Sequence, residues 1–157
     1  MTDLRHLTTQ RLQLDAVVPQ HLARDGLGYW TARLRADLPD TDLRADDVVG
    51  TGGCALRVGT AWWNLYYRFT PPAWGTGLAA ELVLAAIDAA HTVAPQRPVV
   101  AYLLEHNVES RGRAERSGLT QVWRGPDAGN SDPAAVRLVY ADRPLSGGLL
   151  ARVAAMV

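Results

Sequence analysis

At 157 residues the chain is long enough for one domain with a real hydrophobic core. Hydrophobic residues at 48%, charged residues at 20% and a formal net charge of zero fit an ordinary globular protein and give no reason to expect nucleic acid or an anionic membrane as a partner. All 16 basic residues are arginine, and the lack of lysine excludes a Schiff-base enzyme, pyridoxal-phosphate chemistry and a Walker-type P-loop, each of which needs an amine of its own.

The single cysteine, Cys54, has no internal disulfide partner. No segment has the roughly 20 apolar residues of a membrane span, and no signal-peptide run marks the N-terminal residues. A cytoplasmic protein of one domain, residues 1–157, is the expectation.

Loose alternation of Leu4, Leu7, Leu12 and Leu14 predicts a first strand around residues 10–16. Pro19 is placed to open a short helix, and His21 to Leu38 reads as one or two helical pieces broken near Gly26 and Gly28. Five aspartates within residues 37–47 read as a solvated loop. Val48–Val58 and Ala61–Thr70 read as adjacent strands joined by the short turn Val58-Gly59-Thr60, and Pro71-Pro72 ends the second. Gly77 to His91 has the apolar face of a helix covering a sheet. Pro98 to Leu104 is the near-continuous apolar run of a strand buried on both sides. Glu109 to Ser117 reads as a helix capped by Gly118, and residues 119–125 and 134–142 as a closing hairpin. The tail from Gly147 reads as a short apolar helix or as a subunit contact that would make a homodimer.

Two points in this order carry chemistry. Gly75 and Gly77 stand at the mouth of the predicted Gly77–His91 helix, where free backbone amides make a cradle for phosphate. Asn107 and Ser110 follow the next strand. Together they point to a phosphate-bearing cofactor across the ends of two strands. Gly75-Thr76-Gly77-Leu78-Ala79-Ala80 also matches the dinucleotide pattern G-x-G-x-x-A, with Glu105 where a ribose-binding acid would stand. In that fold, however, the glycines follow the first strand directly. Here Pro71 to Trp74 intervene, and many residues of strand and helix come first. A plain turn into a helix is the third reading.

The combination of these stretches resembles the GNAT acyltransferase superfamily, closest to the branch of the ribosomal-protein alanine N-acetyltransferases. Leu7-Thr8-Thr9-Gln10-Arg11-Leu12-Gln13-Leu14 is similar to that branch's opening strand. Asn64 to Phe69 resembles its fourth strand, Pro72 to Glu81 its pyrophosphate turn, and Val100 to Tyr102 with Asn107, Ser110 and Glu115 to Leu119 its fifth strand and following helix. The resemblance implies an α+β (mixed α/β) fold: a mixed, mostly antiparallel sheet flanked by helices, with a β-α-β cofactor-binding core.

It also implies acetyl-CoA as cosubstrate and an amine acceptor, either a protein N-terminus or a small molecule. By that resemblance the pyrophosphate lies on the turn from Trp74 through Gly75, Thr76, Gly77, Leu78 and Ala79. The pantetheine arm pairs with backbone at Phe69 and Thr70, Asn107 bonds the pantetheine, and Ser110 lies near the sulfur. Two positions depart from the family pattern. Pro72 replaces the Arg or Gln that usually opens the turn, and Asn64 replaces the glutamate that often serves as base on the fourth strand.

Acyl transfer from a thioester needs a neutral amine, a donor for the oxyanion and a proton for the leaving thiolate. A thiol pKa of about 8.5 makes the thiolate a tolerable leaving group, so a serine hydroxyl such as Ser110 is acid enough. Asn64 cannot act as a base but can hold a water that does; Glu105 and His106 are titratable and stand at the end of the next strand, and His106 reads either as the base or as an ordinary surface histidine. Ser110 reads equally as a helix-cap partner. Trp30, Trp62, Trp63 and Tyr102 read as an aromatic acceptor pocket or, for most of them, as core, and the histidines and Cys54 show no metal-ligand spacing. A CoA-binding regulatory module without turnover and a dinucleotide-binding protein are the alternatives.

Overall fold

The computed structural model describes residues 3–157, which hold eight strands and four α-helices. They group into two compact units, residues 3–97 and Pro98–Val157.

In the first unit β1 (His6–Thr8), β2 (Leu12–Ala16), β3 (Tyr29–Leu34), β4 (Val48–Leu56) and β5 (Trp63–Phe69) lie side by side in chain order, each antiparallel to the next. The first predicted strand is β2. Residues before it form the separate β1, because Thr9 reverses the chain by donating its N–H to Leu12 O at 2.9 Å. Helix α1 (Pro19–Asp25) begins at the proline and stops at Gly26, φ 84°. The helical reading of residues 27–38 is therefore corrected. Tyr29–Leu34 is a strand, with Trp30, Ala32 and Leu34 buried on one face and Tyr29, Thr31 and Arg33 on the other. A period of two outweighed an ambiguous helical pattern once Gly26 and Gly28 had broken the helix.

Helix α2 (Leu78–Val93) follows β5 and covers the sheet through Leu82, Val83, Ala86 and Ala90, all fully buried. Its approach needs Gly52: a Cβ there would sit 2.9 Å from Leu82 Cδ2 and 2.6 Å from Tyr66 O. Tyr67 Cβ lies beside the same point, so alternate residues Trp63, Leu65, Tyr67 and Phe69 face α2, and Asn64, Tyr66 and Arg68 face away.

In the second unit β6 (Val99–Leu104), β7 (Thr120–Pro126) and β8 (Val136–Ala141) form a sheet in which β8 lies between β6 and β7, antiparallel to both. Helix α3 (Val108–Arg116) is followed by Gly118 at φ 88°, the expected left-handed stop. The tail forms α4 (Gly147–Ala154), capped by Ser146 Oγ, and Tyr102 Oη donates to Val153 O at 3.0 Å within the same unit. The architecture is mixed α/β with antiparallel strand pairs inside each unit, and the chain order β5–α2–β6 is the one expected.

Candidate active site

Strand β5 ends at Phe69, because Pro71 and Pro72 cannot donate to a ladder. They start a single 3-10 turn, Pro71–Ala73, in which Ala73 and Trp74 N–H donate to Thr70 O and Pro71 O at 2.9 and 3.0 Å. Thr70 N–H is committed to Val49 O at 2.9 Å. Alternate residues of an antiparallel strand turn their backbone groups to opposite edges, so Phe69 N–H and C=O face the edge away from β4. Trp74, 63% exposed, donates its indole N–H to Phe69 O at 2.9 Å. That carbonyl keeps one lone pair.

Gly75 and Gly77 follow at φ 73° and 81°, a region that favours glycine. Between them Thr76 Oγ1 donates to Ala73 O at 2.5 Å and pins the turn from inside. Gly77 is the N-cap of α2, and no side chain caps the helix. Glu81 N–H is the first to find a helical carbonyl, that of Gly77, at 3.2 Å. Leu78 N–H reaches only Thr76 Oγ1, at 3.5 Å, and Ala79 and Ala80 N–H have no partner among the described residues. Unpaired amides and the positive end of the helix dipole coincide here. A Cβ on Gly75 would meet nothing within 4 Å, and one on Gly77 only Arg11 Nη2, at 3.3 Å. Donors, charge and room for a pyrophosphate are all present on this turn.

Behind it lies a network for which the sequence reading assigned no role. Glu81 accepts from Thr9 Oγ1 at 2.6 Å, from Arg11 N–H at 2.5 Å and from Arg11 Nε at 2.9 Å. Burial alone would raise the Glu81 carboxyl, but the hydrogen bonds from Thr9 and Arg11 outweigh it and hold the group below its ordinary value. The same guanidinium donates from Nη1 to Thr76 O at 3.0 Å. A signal was present in Thr9-Gln10-Arg11, but it becomes legible only when the β1–β2 turn brings residues 70 apart in sequence into contact.

Asn64, the second predicted catalytic residue, is buried on the face of β5 away from α2, and its Nδ2 donates to Tyr29 Oη at 3.0 Å. Burial raises the Tyr29 phenol above its ordinary value, against the pull of the Asn64 hydrogen bond, so it stays protonated near neutrality. Tyr29 pairs across β4 with Gly53, which in turn pairs with Tyr66. With no side chain on Gly53 between them, the two tyrosine rings approach to 5.6 Å at 53°. Tyr29 is not legible as a site residue in the sequence, because the pattern around Gly26 and Gly28 also fits a broken helix.

In the second unit Asn107 and Ser110 come together at the start of α3. Asn107 is the N-cap, and its Oδ1 accepts from Ser110 N–H at 3.0 Å. Ser110 is thus a cap partner through its amide; its hydroxyl and the Asn107 NH2 group have no partner among the described residues. Glu105 is held by Arg124 in a bidentate pair at 2.7 and 3.1 Å, which keeps its carboxyl below the ordinary glutamate value. An exposed, paired carboxylate of this kind is a poor base at neutral pH. His106 is exposed.

The sequence matches the family described as "Acetyltransferase (GNAT) domain" over residues 5–120, a span that contains the glycine turn, α2, Asn107 and Ser110. The chain belongs to the GNAT acetyltransferase family. No curated protein matches it. Solved structures of the same fold include an acetyltransferase from Agrobacterium tumefaciens (22% identity, TM-score 0.64, covering 90% of this chain and 95% of that one). A GNAT-family acetyltransferase from Bordetella pertussis aligns at 17% identity and TM-score 0.68, covering 88% and 99%. A Vibrio cholerae protein described as a ribosomal-protein-serine acetyltransferase aligns at 16% identity and TM-score 0.63, covering 90% and 98%. Among the described residues of this GNAT protein no helix is long and apolar enough to cross a membrane.

Proposed function

We propose that this GNAT protein transfers the acetyl group of acetyl-CoA to a primary amine by direct attack within a ternary complex, with residues 1–157 as one cytoplasmic acyltransferase domain. The observation that carries the reading is the uncapped mouth of α2. Two left-handed glycines, amides of Ala79 and Ala80 without partners among the described residues, and a glycine N-cap that leaves those donors uncovered, where a Ser, Thr or Asp side chain would satisfy one of them, form an anion cradle.

Acetyl-CoA would supply the thioester, and this chain's residues bind and orient it. Amides from Gly75 to Ala79 hold its pyrophosphate. Phe69 offers the outward edge of β5 to the pantetheine arm, with Thr70 and Trp74 fixing the backbone on either side of the 3-10 turn. From the family resemblance, the Asn107 NH2 group bonds the arm and the Ser110 hydroxyl protonates the leaving sulfur. A carboxylate base is missing from position 64. Asn64 and Tyr29 instead offer neutral polar atoms, the amide oxygen and a protonated phenol, which orient the amine or the water that takes its proton.

The acceptor is a peptide N-terminus or a small amine. The resemblance of the opening strand to the ribosomal-protein branch, with the fold shared by the Vibrio cholerae protein, supports trying peptides first. Asn64 also favours a second reading, a CoA-binding module without turnover. Thiol release from acetyl-CoA, measured with peptides bearing free or blocked N-termini and with a panel of small amines, separates the two. Release with any free amine and none with blocked peptides supports transfer. CoA binding without release across the panel supports the module.

A further inference from the structure

We propose that Arg11 is a positioning residue for the cofactor turn, locking the Thr76–Gly77 peptide so that its N–H points out of the α2 mouth. The inference rests on the reading of that turn as the pyrophosphate site.

The argument starts from the planar peptide. Its C=O and N–H point in opposite directions, so fixing one fixes the other. Arg11 Nη1 holds Thr76 O at 3.0 Å, and this sets the direction of Gly77 N–H. The lock matters because the peptide is bounded on one side by a glycine at φ 81°, where no Cβ resists a flip. Arg11 is itself fixed at two points by Glu81, through backbone N–H and through Nε, and Thr9 holds the same carboxylate. The guanidinium fork spans Glu81 and Thr76 at once; a lysine ammonium has no planar fork with which to do so.

Charge gives the network a second role. Glu81 lies in the first turn of α2, where a bare carboxylate would oppose an incoming phosphate. Arg11 neutralises it. Nη2, which has no hydrogen bond among the described residues, stands 3.3 Å from the point where a Gly77 Cβ would be, on the side of the turn where the N-cap of α2 begins. Pro72 cannot supply the side chain that opens this turn in the family pattern, so Arg11 provides order to it from the turn between β1 and β2.

The test compares CoA with pantetheine, which lacks the phosphates and the adenosine, by calorimetry on the wild type, Arg11→Ala, Arg11→Lys and the double variant Arg11→Ala/Glu81→Gln. The expected result is a loss of CoA affinity of tenfold or more in Arg11→Ala, a smaller loss in Arg11→Lys, and partial recovery in the double variant. Pantetheine affinity stays within twofold throughout. In the free protein, amide exchange at Gly77 should change in Arg11→Lys while exchange in the middle of α2 does not, a readout that needs no ligand. Equal losses for CoA and pantetheine, or unchanged CoA affinity with only a lower Tm, would reduce Arg11 to a structural ion pair and overturn the inference. Wild-type protein that binds pantetheine but gains nothing from the phosphates of CoA would overturn the pyrophosphate reading beneath it.

Discussion

Replacing Gly77 by glutamate puts an anion where the phosphates are proposed to sit, and the structure allows its effects to be separated. At φ 81° any L side chain costs roughly 1–2 kcal/mol of stability. A Cβ meets only Arg11 Nη2, at 3.3 Å, so the guanidinium has to give by a few tenths of an ångström, a cost that any side chain here shares. Gly77→Ala carries the backbone strain and the Arg11 contact without the charge. Gly77→Glu adds a carboxylate at the positive end of α2, which returns about 0.3–1 kcal/mol to the free protein. The same charge about 5 Å from a phosphate opposes binding by about 0.8 kcal/mol at the dielectric of water and about 3.3 kcal/mol at an effective value near 20. The glutamate variant should therefore be no less stable to urea than the alanine variant, yet bind CoA roughly 4-fold to 270-fold more weakly. The deficit should shrink at high salt. Calorimetry and urea unfolding on the three proteins are sufficient. Equal CoA affinity for Gly77→Glu and Gly77→Ala would remove the cradle from the account.

Other substitutions probe the remaining residues. Ser110→Ala should lower kcat on the order of tenfold, below the usual range for general acids because a thiolate leaves readily, with CoA affinity unchanged; a matching loss of CoA affinity would make Ser110 a binding or capping residue only. Tyr29→Phe leaves Asn64 Nδ2 buried without a partner, which should cost about 1–3 kcal/mol in urea unfolding. It should also reduce turnover with CoA binding intact, and unchanged kinetics would limit the pair to structure. The Glu81 carboxyl is depressed in the folded protein, so its stabilisation is complete above the ordinary glutamate value of 4.5 and is lost as pH falls through the lower folded value. Glu81→Gln should therefore be less stable than wild type at neutral pH and flatten the loss of stability below about pH 4.5, as followed by urea unfolding; parallel pH profiles for the two proteins would contradict the hydrogen-bond network.

Where local sequence decided local structure, the fold was legible. Pro19, Gly26, Pro71 and Gly118 start or stop elements where their backbone preferences require, and the apolar runs of α2 and β6 needed no distant partner to be read. The errors fell where sequence signals overlap. Trp30, Ala32 and Leu34 satisfy a strand, yet the surrounding residues also fit a broken helix, and taking the helix hid Tyr29 opposite Asn64. The glycine turn of the candidate site could be read because its conformation is local. The Arg11–Glu81–Thr76 network could not, since it exists only after β2 has docked beside α2. Asn107 and Ser110 were read as one point, and the structure joins them by a cap hydrogen bond.

Calorimetric titration with acetyl-CoA, CoA and NAD tests the central claim most directly. Saturable binding of acetyl-CoA and CoA, with no heat from NAD, is the predicted result. Absence of binding by both CoA forms would contradict it.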